Sequence, residues 1–322
     1  MSTTAGQTPV SDLGSVLMHE HLFVLSVGLY EHWPHLWDRA KAVDRAVATL
    51  EDARAHGVDT VCDLTTPNIG RDASLIKEAA DRAGVKVIVS TGVHPLLPLP
   101  TDMKAAVGLA SWGFSAEQVE EMFVHDIEVG IGDSGVRAGL IKVGTDPTMD
   151  KANEIMLRIA STTHRRTGVP ISTHTLATTK VGLVQQDVFE SEGVDLGRVV
   201  IGHCGDSTDV EYISAIIERG SYVGLDRFGY SNPAYSWIGV EERVDITCQL
   251  LERGYVQQLL LSHDGVCYKL LPEGTEYLTT SDLSVVARQV VPALLSRGVS
   301  QAEIDTMLIE NPRRIFAEQE PY

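Results

Sequence analysis

Short apolar runs alternate with amphipathic segments along most of the 322-residue chain. Eight of the runs are typical of strands, and the segments between them place apolar residues at helical spacing. Most of these helical segments end at a glycine, as helix C-termini commonly do. The predicted strands are Val16–Leu22, Val58–Leu64, Val85–Thr91, Gly139–Val143, Val169–Thr173, Arg198–Gly202, Ser221–Asp226 and Gln258–His263.

The predicted strands are continuously apolar, which is typical of parallel strands buried on both faces. Their strict alternation with helices predicts an α/β fold, a single (β/α)8 TIM barrel. A doubly wound open sheet is the alternative, but no glycine-rich dinucleotide fingerprint follows the first strand. Because no linker divides the chain, we predict one domain, 1–322, with 1–12 as a flexible N-terminal segment. Gly265–Thr280 is predicted to be a long polar loop.

Charge and cysteine content narrow the classes of partner. The chain has 26 Lys and Arg against 44 Asp and Glu, a net charge of −18, which argues against nucleic acid and anionic membranes. No apolar stretch approaches the roughly 20 residues that span a bilayer, and no secretory signal is recognisable. The four cysteines form no C-x-x-C pair and are expected to be reduced. We therefore predict a cytoplasmic protein that acts on a small-molecule substrate.

Metal-binding side chains follow the predicted strands at the end where barrel enzymes have their active sites. His19 and His21 are two positions apart in the first strand, so both imidazoles point to the same face. His174 ends the fifth strand, His203 the sixth and Asp264 the eighth. A lone strand-end histidine is commonly structural, and a strand-end aspartate commonly caps a helix. Their convergence on one rim favours a metal site.

Lys142 lies inside an apolar strand, where an unpaired ammonium is costly to bury. Four histidines and a carboxylate exceed what one tetrahedral zinc ion needs, and they suit two metal ions about 4 Å apart with a shared hydroxide. Such a pair needs a bridging anionic ligand from the protein. A free ammonium has no lone pair, but a lysine carbamylated by CO₂ is a bidentate carboxylate.

This set of residues resembles the metal-site pattern of the amidohydrolase superfamily. The local contexts are most similar to the phosphotriesterase family and its lactonase branch, from about residue 13 to about residue 317. These contexts are MHEHLF, IKVGTD, ISTHT, VIGHCGD, VGLDRFG, LSHDGVC and ENPRRIF. No single motif is specific, but the group is.

The resemblance implies a binuclear centre and a homodimer. In that centre, Asp264 also accepts a proton as the bridging hydroxide attacks and passes it on through His203. Zinc is the metal expected, and cobalt, manganese or iron are alternatives. The implied ligands are His19, His21 and Asp264 on the buried metal ion, His174 and His203 on the exposed one, and carbamylated Lys142 with a hydroxide as the bridge between them.

The resemblance also implies the hydrolysis of a lactone, either an N-acyl-homoserine lactone or another γ- or δ-lactone, with weak phosphotriesterase activity. Another ester, an amide, a carbamate or an organophosphate triester is the alternative main substrate, and a non-catalytic metal-binding barrel is a further one. Arg227 is a pocket residue in the lactonase branch, although an ion pair with Asp226 or a neighbour is equally compatible with its position. His94 lies where that branch has a tyrosine, and Cys267 is predicted to form pocket wall.

Overall fold

The computed structural model describes residues 1–94, 99–145, 147–230, 238–270 and 281–322. Nine parallel strands form one sheet, and each hydrogen-bonds to its neighbours in the order β10-β9-β8-β7-β6-β5-β4-β3-β11. The strands are β1 (Ser2–Thr3), β2 (Gly6–Gln7), β3 (Val16–Leu25), β4 (Thr60–Asp63), β5 (Lys86–Gly92), β6 (Ala138–Gly144), β7 (Ile171–His174), β8 (Val199–Ile201), β9 (Tyr222–Leu225), β10 (Leu259–Leu261) and β11 (Gly265–Leu270).

Helices cover the outer face of this sheet, and the predicted (β/α)8 barrel is confirmed. Several of them begin at an aspartate whose side chain accepts backbone N–H groups, as Asp38, Asp72 and Asp150 do. The helices are α1 (Leu29–His32), α2 (Arg39–Ala55), α3 (Ala73–Ala83), α4 (Ala116–Glu128), α5 (Lys151–Thr167), α6 (Val181–Ser191), α7 (Val210–Glu218), α8 (Val240–Glu252), α9 (Val291–Ser296), α10 (Gln301–Asp305) and α11 (Asn311–Ile315).

The eighth strand of the barrel is in two pieces, and this closes the sheet on itself. Its first half, β10, pairs with β9, and its second half, β11, pairs with β3, where Gly265 lies opposite Glu20. Asp264 separates the halves with a left-handed backbone, φ 53°. The predicted loop Gly265–Thr280 is therefore wrong over Gly265–Leu270, and its remainder, 271–280, lies outside the described residues.

The N-terminal segment 1–12, predicted to be flexible, forms a short hairpin that lies against the barrel. β1 and β2 pair antiparallel, and the side chains of Thr3 and Thr8 hydrogen-bond to each other at 2.9 Å. The backbone N–H of Thr4 donates to the carbonyl of Val87 in β5 at 2.8 Å. These bonds tie the segment to a barrel strand.

Apolar side chains fill the N-terminal half of the barrel interior. They form a cluster separate from the larger layer between sheet and helices. This arrangement leaves the C-terminal half of the interior for polar side chains, away from bulk water. Among the described residues, no helix is long and apolar enough to cross a membrane, and all four cysteines are free thiols.

Candidate metal centre

Four histidine rings converge at the C-terminal ends of the barrel strands. His19 and His21 share the inner face of β3, with ring centroids 5.5 Å apart. The His203 ring, which follows β8, lies 4.8 Å from His19 and 4.5 Å from the His174 ring at the end of β7. All four side chains are buried. The structure thus brings together every imidazole that the sequence proposes as a ligand.

Lys142 and Asp264 complete this cluster. The Lys142 Nζ lies 3.3 Å from Nε2 of His19 and donates to the Thr173 carbonyl at 3.4 Å. Oδ1 of Asp264 lies 3.4 Å from Nε2 of His19 and 3.2 Å from Nε2 of His21. The ligand atoms of His19, His21 and Asp264 all lie within 4.8 Å of one another, which is close enough to share one ion.

A carboxylate that sequence reasoning missed, Asp226, orients two of the rings. Its Oδ2 accepts a hydrogen bond from Nδ1 of His19 at 2.7 Å, and its Oδ1 accepts from Nδ1 of His203 at 2.9 Å. A carboxylate behind a histidine fixes the tautomer with the hydrogen on Nδ1, so Nε2 keeps the lone pair through which an imidazole binds a metal ion. Asp226 ends the seventh strand, so its position on the same rim was the available signal.

Burial keeps the imidazoles of His19, His174 and His203 uncharged. It lowers the pKa of His19 to about 3, with the Lys142 ammonium adding to the effect. Burial likewise lowers the pKa of His174 and of His203. It also lowers the pKa of the Lys142 amine to about 8, so a neutral fraction exists near neutral pH. Neutral imidazole and neutral amine are the forms that bind metal and react with CO₂.

Asp264 is held as a carboxylate by Arg227. Nε of Arg227 donates to Oδ2 of Asp264 at 2.9 Å, and its Nη1 donates to Oδ2 of Asp206 at 2.6 Å. Burial by itself would raise the pKa of Asp264, but Arg227 and the neighbouring histidines hold it well below its usual range. The guanidinium also lies over the Tyr230 ring, 4.7 Å from its centroid. Arg227 therefore pairs with Asp264 and Asp206, carboxylates that the sequence did not link to it.

His94 faces the cluster from the end of β5. Its ring centroid is 5.1 Å from that of His174, and its buried Nδ1 has no hydrogen-bond partner among the described residues. The Asn68 side chain makes two hydrogen bonds to the His94 backbone: it accepts from the N–H at 2.9 Å and donates to the carbonyl at 2.9 Å. Burial lowers the pKa of His94 well below its ordinary value. A fixed, neutral ring with an unsatisfied nitrogen beside the cluster suits contact with a substrate.

Cys267 lies on the other side of the sheet. It is fully buried in β11 within the layer between sheet and helices, and Thr49 of α2 lies beside its thiol. Burial raises the pKa of the thiol. Its side chain therefore lies in the helix layer and not in the pocket wall that the sequence predicts. The split strand explains the difference, because side chains alternate along β11.

The donor set fits a pair of divalent metal ions. Neutral imidazole nitrogens and an ionised carboxylate are ligands that zinc, cobalt, manganese and iron accept. The buried Lys142 amine lies among these ligands, and in the described part of the chain no carboxylate is within hydrogen-bonding distance of it. Carbamylation would convert this amine into an anionic ligand.

Comparison with known proteins agrees with this chemistry. The model of the phosphotriesterase family matches residues 1–316. The solved structure of the phosphotriesterase from Mycobacterium tuberculosis is 40% identical, with a TM-score of 0.90, and the match covers 100% of this chain and 99% of that one. An aryldialkylphosphatase of Saccharolobus solfataricus is 32% identical over 95% of this chain and 96% of its own. A phospho-furanose lactonase of Mycoplasmopsis agalactiae is 28% identical over 99% and 92%.

The phosphotriesterase family consists of binuclear metal enzymes, and the relatives with named activities are hydrolases. The resemblance inferred from the sequence motifs is confirmed, as is the expectation of a hydrolase that acts on ester bonds. A barrel whose strand ends gather neutral imidazoles around an ionised carboxylate, matched from residue 1 to 316, establishes this chain as a metal-dependent hydrolase of the phosphotriesterase family.

Proposed function

We propose that this hydrolase opens a lactone, either an N-acyl-homoserine lactone or another γ- or δ-lactone. The observation that carries the proposal is the ionised Asp264, which lies against His19 and His21 within the six-residue cluster. The lactonase-like contexts of the site residues and a relative named as a phospho-furanose lactonase favour a cyclic ester. In such barrels the strand ends set the metal chemistry and the loops set the choice of substrate.

The proposed cofactor is a pair of divalent ions, zinc in the first instance. When bound, such ions lower the pKa of a water molecule and polarise the substrate carbonyl. His19, His21 and Asp264 would hold one ion, and His174 and His203 the other. Lys142 would lie between them as a carbamate: its neutral amine nitrogen bonds to the carbon of CO₂, and the displaced proton leaves to solvent.

Asp264 is proposed to accept the proton of the attacking water. Arg227 fixes one carboxylate oxygen by its hydrogen bond, so the other, Oδ1, faces the cluster. The water oxygen bonds to the acyl carbon, the ring C–O bond breaks, and the released alkoxide takes up the proton to give a hydroxy acid. The proposed route through His203 would need a rearrangement, because the ring nitrogens of His203 bond to Asp226 and His174.

His94 is proposed to contact the substrate beside the reacting carbonyl. Its ring lies beside that of His174 and its backbone is held by Asn68, so the ring would present a fixed surface to the substrate. The resemblance also supports a homodimer, which sedimentation of the purified protein would test. Reduced thiols support the proposal that the protein is cytoplasmic.

A relative named aryldialkylphosphatase favours one alternative, an organophosphate triester as main substrate. Another ester, an amide or a carbamate stays open as well. The deciding experiment is a pH-stat assay of metal-loaded protein on homoserine lactones of several acyl lengths, simple γ- and δ-lactones and an aryl phosphotriester. Proton release at least tenfold faster with a lactone than with the triester supports the proposal. If protein with two metal ions per chain releases no protons with any lactone, the lactonase proposal is contradicted.

A further inference from the structure

A second buried carboxylate, Glu20, braces the turn that carries Asp264. Glu20 lies between His19 and His21 in β3, and because side chains alternate along a strand it points away from the two imidazoles. It is fully buried. Its register partner across the ladder is Gly265, the residue that directly follows Asp264. Glu20 is therefore adjacent to the catalytic cluster but outside its ligand set.

Glu20 accepts four hydrogen bonds, all from residues on the two sides of Asp264. Oε1 accepts from Oγ of Ser262 at 2.7 Å, and from the backbone N–H and Nδ1 of His263 at 3.0 and 2.6 Å. Oε2 accepts from the N–H of Gly265 at 2.8 Å. At the break between the two halves of the eighth strand, the Glu20 carboxylate thus accepts the backbone N–H groups of His263 and Gly265. In an uninterrupted strand, backbone carbonyls would accept such groups.

His263 extends this brace to the next helical segment. Its Nε2 accepts the backbone N–H of Val286 at 3.0 Å, so that nitrogen carries a lone pair. Nδ1 must then bear the hydrogen, which it donates to Glu20. Each ring nitrogen has one defined partner, and the ring links β3 to the start of the segment Val286–Val290.

The turn needs such a brace because of the backbone of Asp264. Its φ of 53° is in the left-handed region that residues other than glycine rarely adopt. A strained backbone of this kind persists where the surrounding structure over-determines it. One bond, from the N–H of Asp264 to the His19 carbonyl at 3.0 Å, comes from the residue itself. Arg227 holds its carboxylate, and the flanking residues are held by Glu20 on both sides. On the Ser262 side, the backbones of His19, Leu225 and Phe228 add further hydrogen bonds.

We infer that Glu20 is a positioning residue for the hydrolytic reaction, holding the turn so that the Asp264 carboxylate faces His19 and His21. This inference rests on the role proposed above for Asp264. Displacement of a reacting group by about 1 Å can cost about 100-fold in rate, so an outer carboxylate of this kind has a measurable effect on turnover.

The test is Glu20→Gln in metal-loaded protein. The glutamine carbonyl oxygen can still receive the three bonds at Oε1, but its amide N–H₂ then faces the Gly265 N–H, donor against donor. We expect kcat on δ-valerolactone to fall about 10-fold to 100-fold while KM changes less than about twofold. We also expect the visible absorption bands of the Co²⁺-loaded protein to shift, because Asp264 is one of the proposed ligands.

Asn311→Ala is the matched control for loss of stability. Nδ2 of Asn311 donates to the carbonyls of Val256 and Leu259 at 2.8 Å each, at the opposite end of the same strand. This variant should lower the thermal midpoint while kcat and the cobalt spectrum stay as in the wild type. Glu20→Asp, which keeps the carboxylate but is one methylene shorter, is the second variant if Glu20→Gln does not fold, and it should shift the same bands.

A Glu20→Gln variant with wild-type kcat and an unchanged cobalt spectrum would overturn the inference. The inference would also be overturned if Asn311→Ala, at an equal drop in thermal midpoint, showed the same changes in kcat and in the cobalt spectrum as Glu20→Gln. The cobalt spectrum needs no substrate, so it decides even if the wild type does not open the lactone. Asp264→Asn separates the two proposals: wild-type turnover in that variant removes the proposed role of Asp264, whereas an inactive Asp264→Asn beside an unaffected Glu20→Gln removes only the brace.

Discussion

Arg227 donates from Nε to Oδ2 of Asp264 at 2.9 Å, with both side chains buried. The same guanidinium donates from Nη1 to Asp206, which in turn accepts from Arg243 of α8 at 2.7 Å. Two arginines and two carboxylates thus form a chain from a helix to the metal cluster. Its effect is to fix the direction of Asp264 and to keep it ionised, so Arg227 acts on the carboxylate.

Arg227→Lys should therefore fold but turn over slowly. A lysine keeps the charge, yet its single ammonium cannot reproduce two donors held in a planar fork to Asp264 and Asp206. We expect kcat to fall about 10-fold to 100-fold with two metal ions still bound. Steady-state kinetics with metal analysis of the same sample checks this. Full turnover in Arg227→Lys would show that the fork is not needed.

Asp226→Asn should weaken metal binding before it weakens folding. An amide can accept from only one of the two rings that Asp226 orients, and its N–H₂ would face Nδ1 of the other. Loss of such an outer-shell carboxylate typically costs about 10-fold to 100-fold in metal affinity. Competition with a chelator measures the change. The surface variant Asp81→Asn, which removes an exposed pair with Lys77, is the control and should bind metal as the wild type does.

The sequence placed all six ligand candidates on one rim because each is attached to a strand end, and strand ends of a parallel barrel meet there. It offered Asp226 as a partner of Arg227, but did not identify Asp226 as the partner of two histidines or Asp206 as that of Arg227. A carboxylate beside a strand end has several possible neighbours until the strands are assembled. The sequence pattern also could not predict which face of the sheet carries Cys267. That face is set by the strand β11, whereas the polar residues after Asp264 are typical of a loop.

The interruption of the eighth strand is a feature of the fold that the sequence likewise did not predict. The local signal that Asp264 adopts a left-handed backbone is limited to the Asp264-Gly265 dipeptide, which is typical of any turn. That the turn interrupts a strand depends on Glu20, 244 positions earlier, and on the ladder with β3. Local periodicity predicts elements, and contacts of long sequence separation decide where an element is interrupted.

Lys142→Ala should lose metal and activity together. The amine is buried among the ligands, and its carbamate is the anionic bridge in the proposed centre. We expect fewer than two metal ions per chain and no measurable hydrolysis. Reconstitution of metal-free wild type should also proceed faster with added bicarbonate. Lys41→Ala, on an exposed lysine of α2, is the control. A Lys142→Ala protein with two ions and full turnover would exclude the carbamate.

His164 gives a pH dependence that is separate from the metal centre. It is fully buried in α5; its Nδ1 donates to the Val169 carbonyl at 2.8 Å, and its Nε2 lies 2.9 Å from the Tyr322 hydroxyl. Burial lowers its pKa from the ordinary value of 6.5. The contribution to stability is therefore complete above pH 6.5. As the pH falls from there towards the lowered pKa, the unfolded chain takes up a proton that the folded protein does not, and stability is lost.

Within that window the free energy of unfolding should fall by about 1.4 kcal/mol per pH unit from this group. His164→Gln can keep both hydrogen bonds without titrating, so its stability should decrease less on acidification. Urea unfolding of both proteins at about pH 7.5 and about pH 5.5 measures the difference. The other buried histidines are common to both proteins, so their proton uptake cancels. Equal loss of stability in the two proteins would mean that His164 can take up a proton in the folded state.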